Sequence, residues 1–97
     1  MPDINKTKLP GTSGGGLSSR GSGAGGVYVS GNVATLFGFV RVYAQRDLWM
    51  LEFIWNGYYY ETSGKCEQLP SNLALTRRAS KFARQIVEKN GNITNWY

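Results

Sequence analysis

The pair Asn56-Gly57, set between FIW and YYYETSG, constrains this chain more than any other feature. Both residues tolerate the positive φ of a type I′ turn, and the flanking runs are rich in β-branched and aromatic side chains, so a two-residue hairpin is expected here. The register then follows. Trp55 pairs with Tyr58, Ile54 with Tyr59, Phe53 with Tyr60, Glu52 with Glu61, and Leu51 with Thr62. Upstream, TLFGFVRVYAQRDLWMLEF reads as a second hairpin turning at Arg46-Asp47, which pairs Val42 with Leu51, Arg41 with Glu52, and Val40 with Phe53.

Alternation then sorts the side chains. One face carries Val40, Val42, Trp49, Leu51, Phe53, Trp55, Tyr58 and Tyr60, and is expected to be the core face. The other carries Phe39, Arg41, Tyr43, Met50, Glu52, Ile54, Tyr59 and Glu61, and is expected to be half solvated, with Arg41 beside Glu52 relieving the Glu52–Glu61 repulsion. Of the three consecutive tyrosines, Tyr58 and Tyr60 go to the core and Tyr59 faces outward.

A cover for the core face comes next. Leu75, Ala79, Phe82, Ala83 and Ile86 recur at the spacing of one helical stripe. Ser71 or Asn72 supplies an N-cap after Pro70, and Asn90-Gly91 a stop. The expected fold is therefore α+β: a three-stranded antiparallel sheet (strands near 33–44, 48–55 and 58–63) packed against one C-terminal helix near 72–89. The terminal NITNWY is too short to place. Trp96 either packs back on the sheet edge or anchors something else.

Residues 1–26 hold eight of the thirteen glycines and few large apolar side chains. Such a segment buries too little apolar surface to offset the entropy of ordering, so it is expected to be a flexible Gly/Ser-rich tail, dispensable for stability, ahead of a domain spanning 27–97. A phosphate-binding loop is excluded, because no strand precedes these glycines and no Gly-Lys-Ser/Thr follows them.

Composition narrows the chemistry. There is no histidine and one cysteine, Cys66, so an internal disulfide, the usual zinc sites and a Cys-His nucleophile pair are all ruled out. The acidic residues are scattered without metal-like clustering. Glu52 and Glu61 face each other across the hairpin, which in principle raises one carboxyl pKa, but a surface pair bridged by Arg41 is the simpler reading. No apolar run reaches the length of a membrane span or forms a signal-peptide centre, so a cytoplasmic location is expected, in a bacterial or phage-infected cell. The chain is thus expected to bind rather than catalyse, with no cofactor, metal or small-molecule substrate.

LWMLEFIWNGYYYETSG leading to LPSNLALTRRASKFARQIVEK resembles the N-terminal arm-type DNA-binding domain of phage tyrosine recombinases, the lambdoid integrase subgroup in particular. The matching positions are Trp49, Leu51, Phe53, Gly57, Tyr59, Glu61, Thr62, Leu69, Pro70, Ala79 and Ile86, with GVYVSGN similar to the family's lead-in. The chain departs from the pattern where GYYYE replaces the family's arginines or lysines, and where SGKCEQ lengthens the path to Leu69-Pro70. Residues after 90 leave no room for a recombinase catalytic core. The resemblance therefore implies a free-standing arm domain, a truncated product or a relative redirected to another task.

Two binding functions follow. The net charge is +5, concentrated in the tail and in the helical segment with Arg77, Arg78, Lys81, Arg84 and Lys89. In the preferred reading the chain binds double-stranded DNA, in phage DNA recombination. The outer sheet face enters a major groove, Arg41, Tyr43 and Tyr59 meet bases or sugars, and Lys65, Arg77, Arg78, Lys81 and the tail contact phosphates. In the other, the exposed aromatics dock on a host protein, as in a phage-encoded inhibitor or modifier of a nuclease or recombination complex.

Overall fold

The computed structural model describes residues 2–9 and 28–97. It shows an antiparallel sheet with one C-terminal helix, but the sheet has five strands rather than three. These are β1 (Ile4–Lys8), β2 (Tyr28–Thr35), β3 (Gly38–Gln45), β4 (Leu48–Trp55) and β5 (Tyr58–Lys65), followed by helix α1 (Asn72–Glu88). Their order across the sheet is β1-β5-β4-β3-β2.

The central registers agree with those derived above. Asn56 and Gly57 both have positive φ, 53° and 82°, and Trp55 faces Tyr58 across the turn. At Arg46-Asp47 neither residue has a positive φ. That turn is instead held by one side-chain and one backbone bond: Gln45 Nε2 donates to Asp47 Oδ1 at 2.9 Å, and the Cys66 amide donates to the Asp47 carbonyl at 3.3 Å.

The expected single strand over 33–44 is in fact a hairpin, turning at Leu36-Phe37. Two apolar residues in sequence argue for a continuing strand, which is why the turn is hard to read. Thr35 reverses the chain. Its hydroxyl donates to the Gly38 carbonyl and accepts from the Phe37 amide, and Gly38 takes a φ of 127° that suits glycine. Leu36 is left 90% exposed at the tip.

The other unexpected strand, β1, comes from residues assigned above to the tail. Among them only Ile4 is buried, so INKTK shows no alternation to betray a strand. Its order comes from partners far along the chain. It pairs with β5 from Ile4↔Thr62 to Lys8↔Tyr58 and covers what would be an open edge. The Ile4 amide donates to the Thr94 carbonyl at 2.8 Å, the Trp96 amide to the Pro2 carbonyl at 3.1 Å, and Lys6 Nζ to the Gly91 carbonyl at 3.0 Å. Lys6 also lies 4.3 Å from the centre of the Tyr58 ring, a cation–π contact. The rest of the expected tail lies outside the described residues.

α1 starts at the Ser71 cap, whose hydroxyl accepts from the Ala74 amide at 3.1 Å. It stops where Asn90 and Gly91 take positive φ and the Gly91 amide returns to the Ile86 carbonyl. Leu75, Ala79, Phe82, Ala83 and Ile86 are all buried against Val40, Val42, Leu51, Phe53 and Tyr60. Trp96 joins this core. Its ring centre lies 5.2 Å from that of Phe82 and 6.1 Å from that of Trp49.

Three outcomes are expected. Phe82→Ala should cost about 3–5 kcal/mol in chemical denaturation, since it empties the centre of the helix–sheet contact. Removing residues 1–9 should also lower the midpoint, because the core loses Ile4 and the β5 edge loses its partner; an unchanged midpoint would show that β1 adds nothing. The Tyr60 phenol is pushed up, first by burial and then by Tyr58 beside it. Its stabilising effect is complete below the unfolded tyrosine pKa of about 10 and is lost as pH rises through the higher folded value. Tyr60→Phe should flatten that alkaline loss in a pH series of melts.

Candidate functional site

The seven residues selected from the sequence fall on two sides of the sheet. Arg41, Tyr43, Tyr59 and Lys65 lie on the face away from the helix, by the alternation of β3 and β5. Arg77, Arg78 and Lys81 lie on the helix side.

The open face is less solvated than its pattern suggests. Its central row runs Asn32, Arg41, Glu52, Glu61 and Asn5 across the five strands. Glu52 is only 2% exposed, on the sheet face opposite the helix. The cause is local. Tyr59, a diagonal neighbour across the hairpin, donates its hydroxyl to Glu52 Oε2, and Arg41 and Glu61 flank the carboxylate in the row. Tyr43, expected to face outward, is 7% exposed. Its hydroxyl donates at 2.9 Å to Gln45 two residues along the same face, so the ring lies along the strand instead of standing up from it. Lys65 is exposed at the end of β5.

The apolar surface of this face gathers at one end. Phe39 is 67% exposed and Ile54 36%, in the row next to the Leu36-Phe37 tip.

On the opposite side a cleft of about 270 Å³ is lined by Pro2, Trp49, Arg77, Arg78, Lys81, Trp96 and Tyr97. Each part has a local cause. Arg78 and Lys81 flank the buried Ala79 and Phe82 on α1, so helical spacing sets them along the rim of the core stripe. The Arg78 guanidinium lies 4.9 Å above the Trp49 ring. Trp49 occupies the space over Gly64, where any Cβ would collide with the indole. Trp96 is fixed by its Nε1–H, which donates to Thr62 Oγ1 at 2.9 Å. Tyr97 is held through its backbone: its carbonyl accepts from Gln85 Nε2 at 2.8 Å and its amide donates to Gln85 Oε1 at 3.4 Å. The residue is 72% exposed.

Among the described residues no acidic side chain lines the cleft. Arg78 Nη1 is closed off from solvent and has no hydrogen-bond partner among the described residues, a state that costs free energy until an acceptor arrives. The arrangement offers positive charge beside flat apolar surface. Among the described residues its lining has no histidine, Asp or Glu side chain, and no group of three or more His, Cys, Asp or Glu side chains is placed to hold a metal. No described helix is long and apolar enough to cross a membrane.

Sequence reasoning selected the three cations of this cleft but not its aromatic residues. Trp49 reads as core, and Trp96 and Tyr97 belong to a segment without periodicity. Comparison with protein-family models, curated proteins and solved structures finds no match.

Tyr59→Phe should cost about 1–3 kcal/mol, because it withdraws a donor from a buried carboxylate. A denaturation curve that coincides with wild type would show that the other contacts of Glu52 suffice.

Proposed function

We propose that this chain is a nucleic-acid-binding module whose contact surface is the cleft on the helix side. The observation that carries this reading is the convergence of Arg77, Arg78 and Lys81 on an aromatic cleft with no acidic side chain among its described lining residues. Most of the affinity for nucleic acid comes from neutralised phosphates, and the remaining contacts orient it. The open sheet face fits this role poorly. Glu52 and Glu61 occupy its middle row, and the polar groups of Tyr43 and Tyr59 are bonded within the face. The expected division of labour, bases on the sheet and phosphates on the helix, therefore gives way to a single surface. A narrower form of the proposal is arm-type site binding in phage DNA recombination. It draws support from the succession of β3, β4, β5 and α1 and from the matching residues between Trp49 and Ile86.

A second reading has its own observation. Phe39, Ile54, Leu36 and Phe37 expose apolar surface around one end of the open face, and such surface suits a protein partner better than a phosphate backbone. In that reading the sheet end docks on a host nuclease or recombination complex.

Fluorescence anisotropy with labelled oligonucleotides at two salt concentrations separates these readings. Replacing Arg77, Arg78 and Lys81 together by alanine should lower affinity and flatten the salt dependence, whereas Arg41→Ala, Tyr59→Ala and Glu52→Gln should leave both close to wild type. Wild-type binding by the triple variant would overturn the proposal. Loss of binding to a nuclease complex in Tyr59→Ala or Phe39→Ala, with no oligonucleotide bound by the wild type, would establish the second reading.

A further inference from the structure

We infer that the nucleic acid taken by this cleft is single-stranded: one unpaired base enters against Tyr97, and its flanking phosphates lie on Arg77 and Lys81. The inference rests on the nucleic-acid reading of the cleft and deepens it.

The first support is shape. The aromatic floor is recessed, with Trp49 only 7% and Trp96 only 3% exposed. A duplex presents a convex outer surface of phosphates and keeps its bases stacked inside, so it can touch the rim of this cleft but not its floor. Entry to a major groove needs a protruding helix or ribbon, and a concavity is the opposite shape. A base free of its partner can enter. The volume, 270 Å³, lies just below the range of about 300–1,000 Å³ typical of drug-sized ligands. It therefore suits one base-sized group, while the rest of the strand continues over the rim.

The second support is chemistry. The face of Trp49 is already covered by the Arg78 guanidinium, and Trp96 packs on Phe82 with its Nε1–H committed to Thr62. Tyr97 is different. Its backbone is clamped by Gln85 while the residue is 72% exposed, so the backbone bonds fix where the side chain starts and its ring is accessible. Stacking on such a ring tolerates every base, so sequence preference should be weak. Arg77 and Lys81 are exposed at the rim, where a strand's backbone would pass, and a phosphate or base oxygen brought beside Arg78 gives that guanidinium an acceptor.

The test uses the full chain with fluorescently labelled oligothymidylate and oligoadenylate of about twelve nucleotides, and the blunt duplex formed from the two, at low and moderate salt. The single strands should bind at least about tenfold more tightly than the duplex and within a few-fold of each other. Tyr97→Ala keeps the backbone bonds to Gln85, so the fold survives. It should weaken single-strand binding about tenfold, the equivalent of one lost stacking contact, and leave duplex binding unchanged. Arg77→Ala with Lys81→Ala should weaken both. Duplex binding equal to or tighter than single-strand binding would overturn this inference while leaving the cleft a nucleic-acid site. Failure of every oligonucleotide to bind would overturn both. Full single-strand affinity in Tyr97→Ala would overturn the stacking site.

Discussion

The Trp96 indole lies where helix, sheet and both chain ends meet. Its ring packs on Phe82 of α1 and edge-on to Trp49 of β4, and its N–H ends on the Thr62 hydroxyl of β5. Thr62 in turn donates to the Asp3 carbonyl, and the Trp96 amide donates to the Pro2 carbonyl. A buried N–H left without a partner costs about 1–3 kcal/mol, so the position of Thr62 dictates how the C-terminal segment folds back. Once that segment is in place, β1 has a second partner besides β5, and the cleft has its floor. The order of β1, the placement of Tyr97 and the shape of the cleft all descend from this packing.

The two sides of the sheet manage charge differently. On the open side Arg41 stands opposite Glu52, and Tyr59 bonds the same carboxylate, so opposite charges and donors are gathered in one place. On the helix side Arg78 lies over the Trp49 ring, and Arg77 and Lys81 line the same aromatic cleft. A cation above an indole is stabilised by the ring quadrupole, but its charge is not neutralised, so it still attracts an anion. The near balance of charge on one side and the surplus on the other set where a polyanion is drawn.

Glycine contributes at two places through what it lacks. Over Gly64 the Trp49 indole fills the space that a Cβ would take, and this brings the ring under Arg78. At Gly91 a positive φ ends the helix, and the absent Cβ makes room for the Tyr60 hydroxyl. In both cases a small residue lets a large aromatic approach the backbone, and that approach positions the element beyond it.

The sequence by itself determined the β3–β4–β5 meander, its registers, the capped helix and the buried stripe from Leu75 to Ile86. These are local matters: Asn56-Gly57 sets the register through backbone conformation, and the periods of two and 3.6 select the faces. It also singled out Arg77, Arg78 and Lys81, because consecutive turns of a helix bring them to one edge. What it could not reveal depends on contacts between distant residues. INKTK becomes a strand because β5 and residues 94–96 supply partners, and Leu36-Phe37 becomes a turn because the Thr35 hydroxyl binds across it. Tertiary structure alone decided that Tyr43 lies down, that Glu52 is buried beneath its neighbours, and that Trp49, Trp96 and Tyr97 join three cations in one cleft. The reason is physical. Spacing along the chain encodes which face a side chain leaves from, whereas a cleft exists only once separate segments have met.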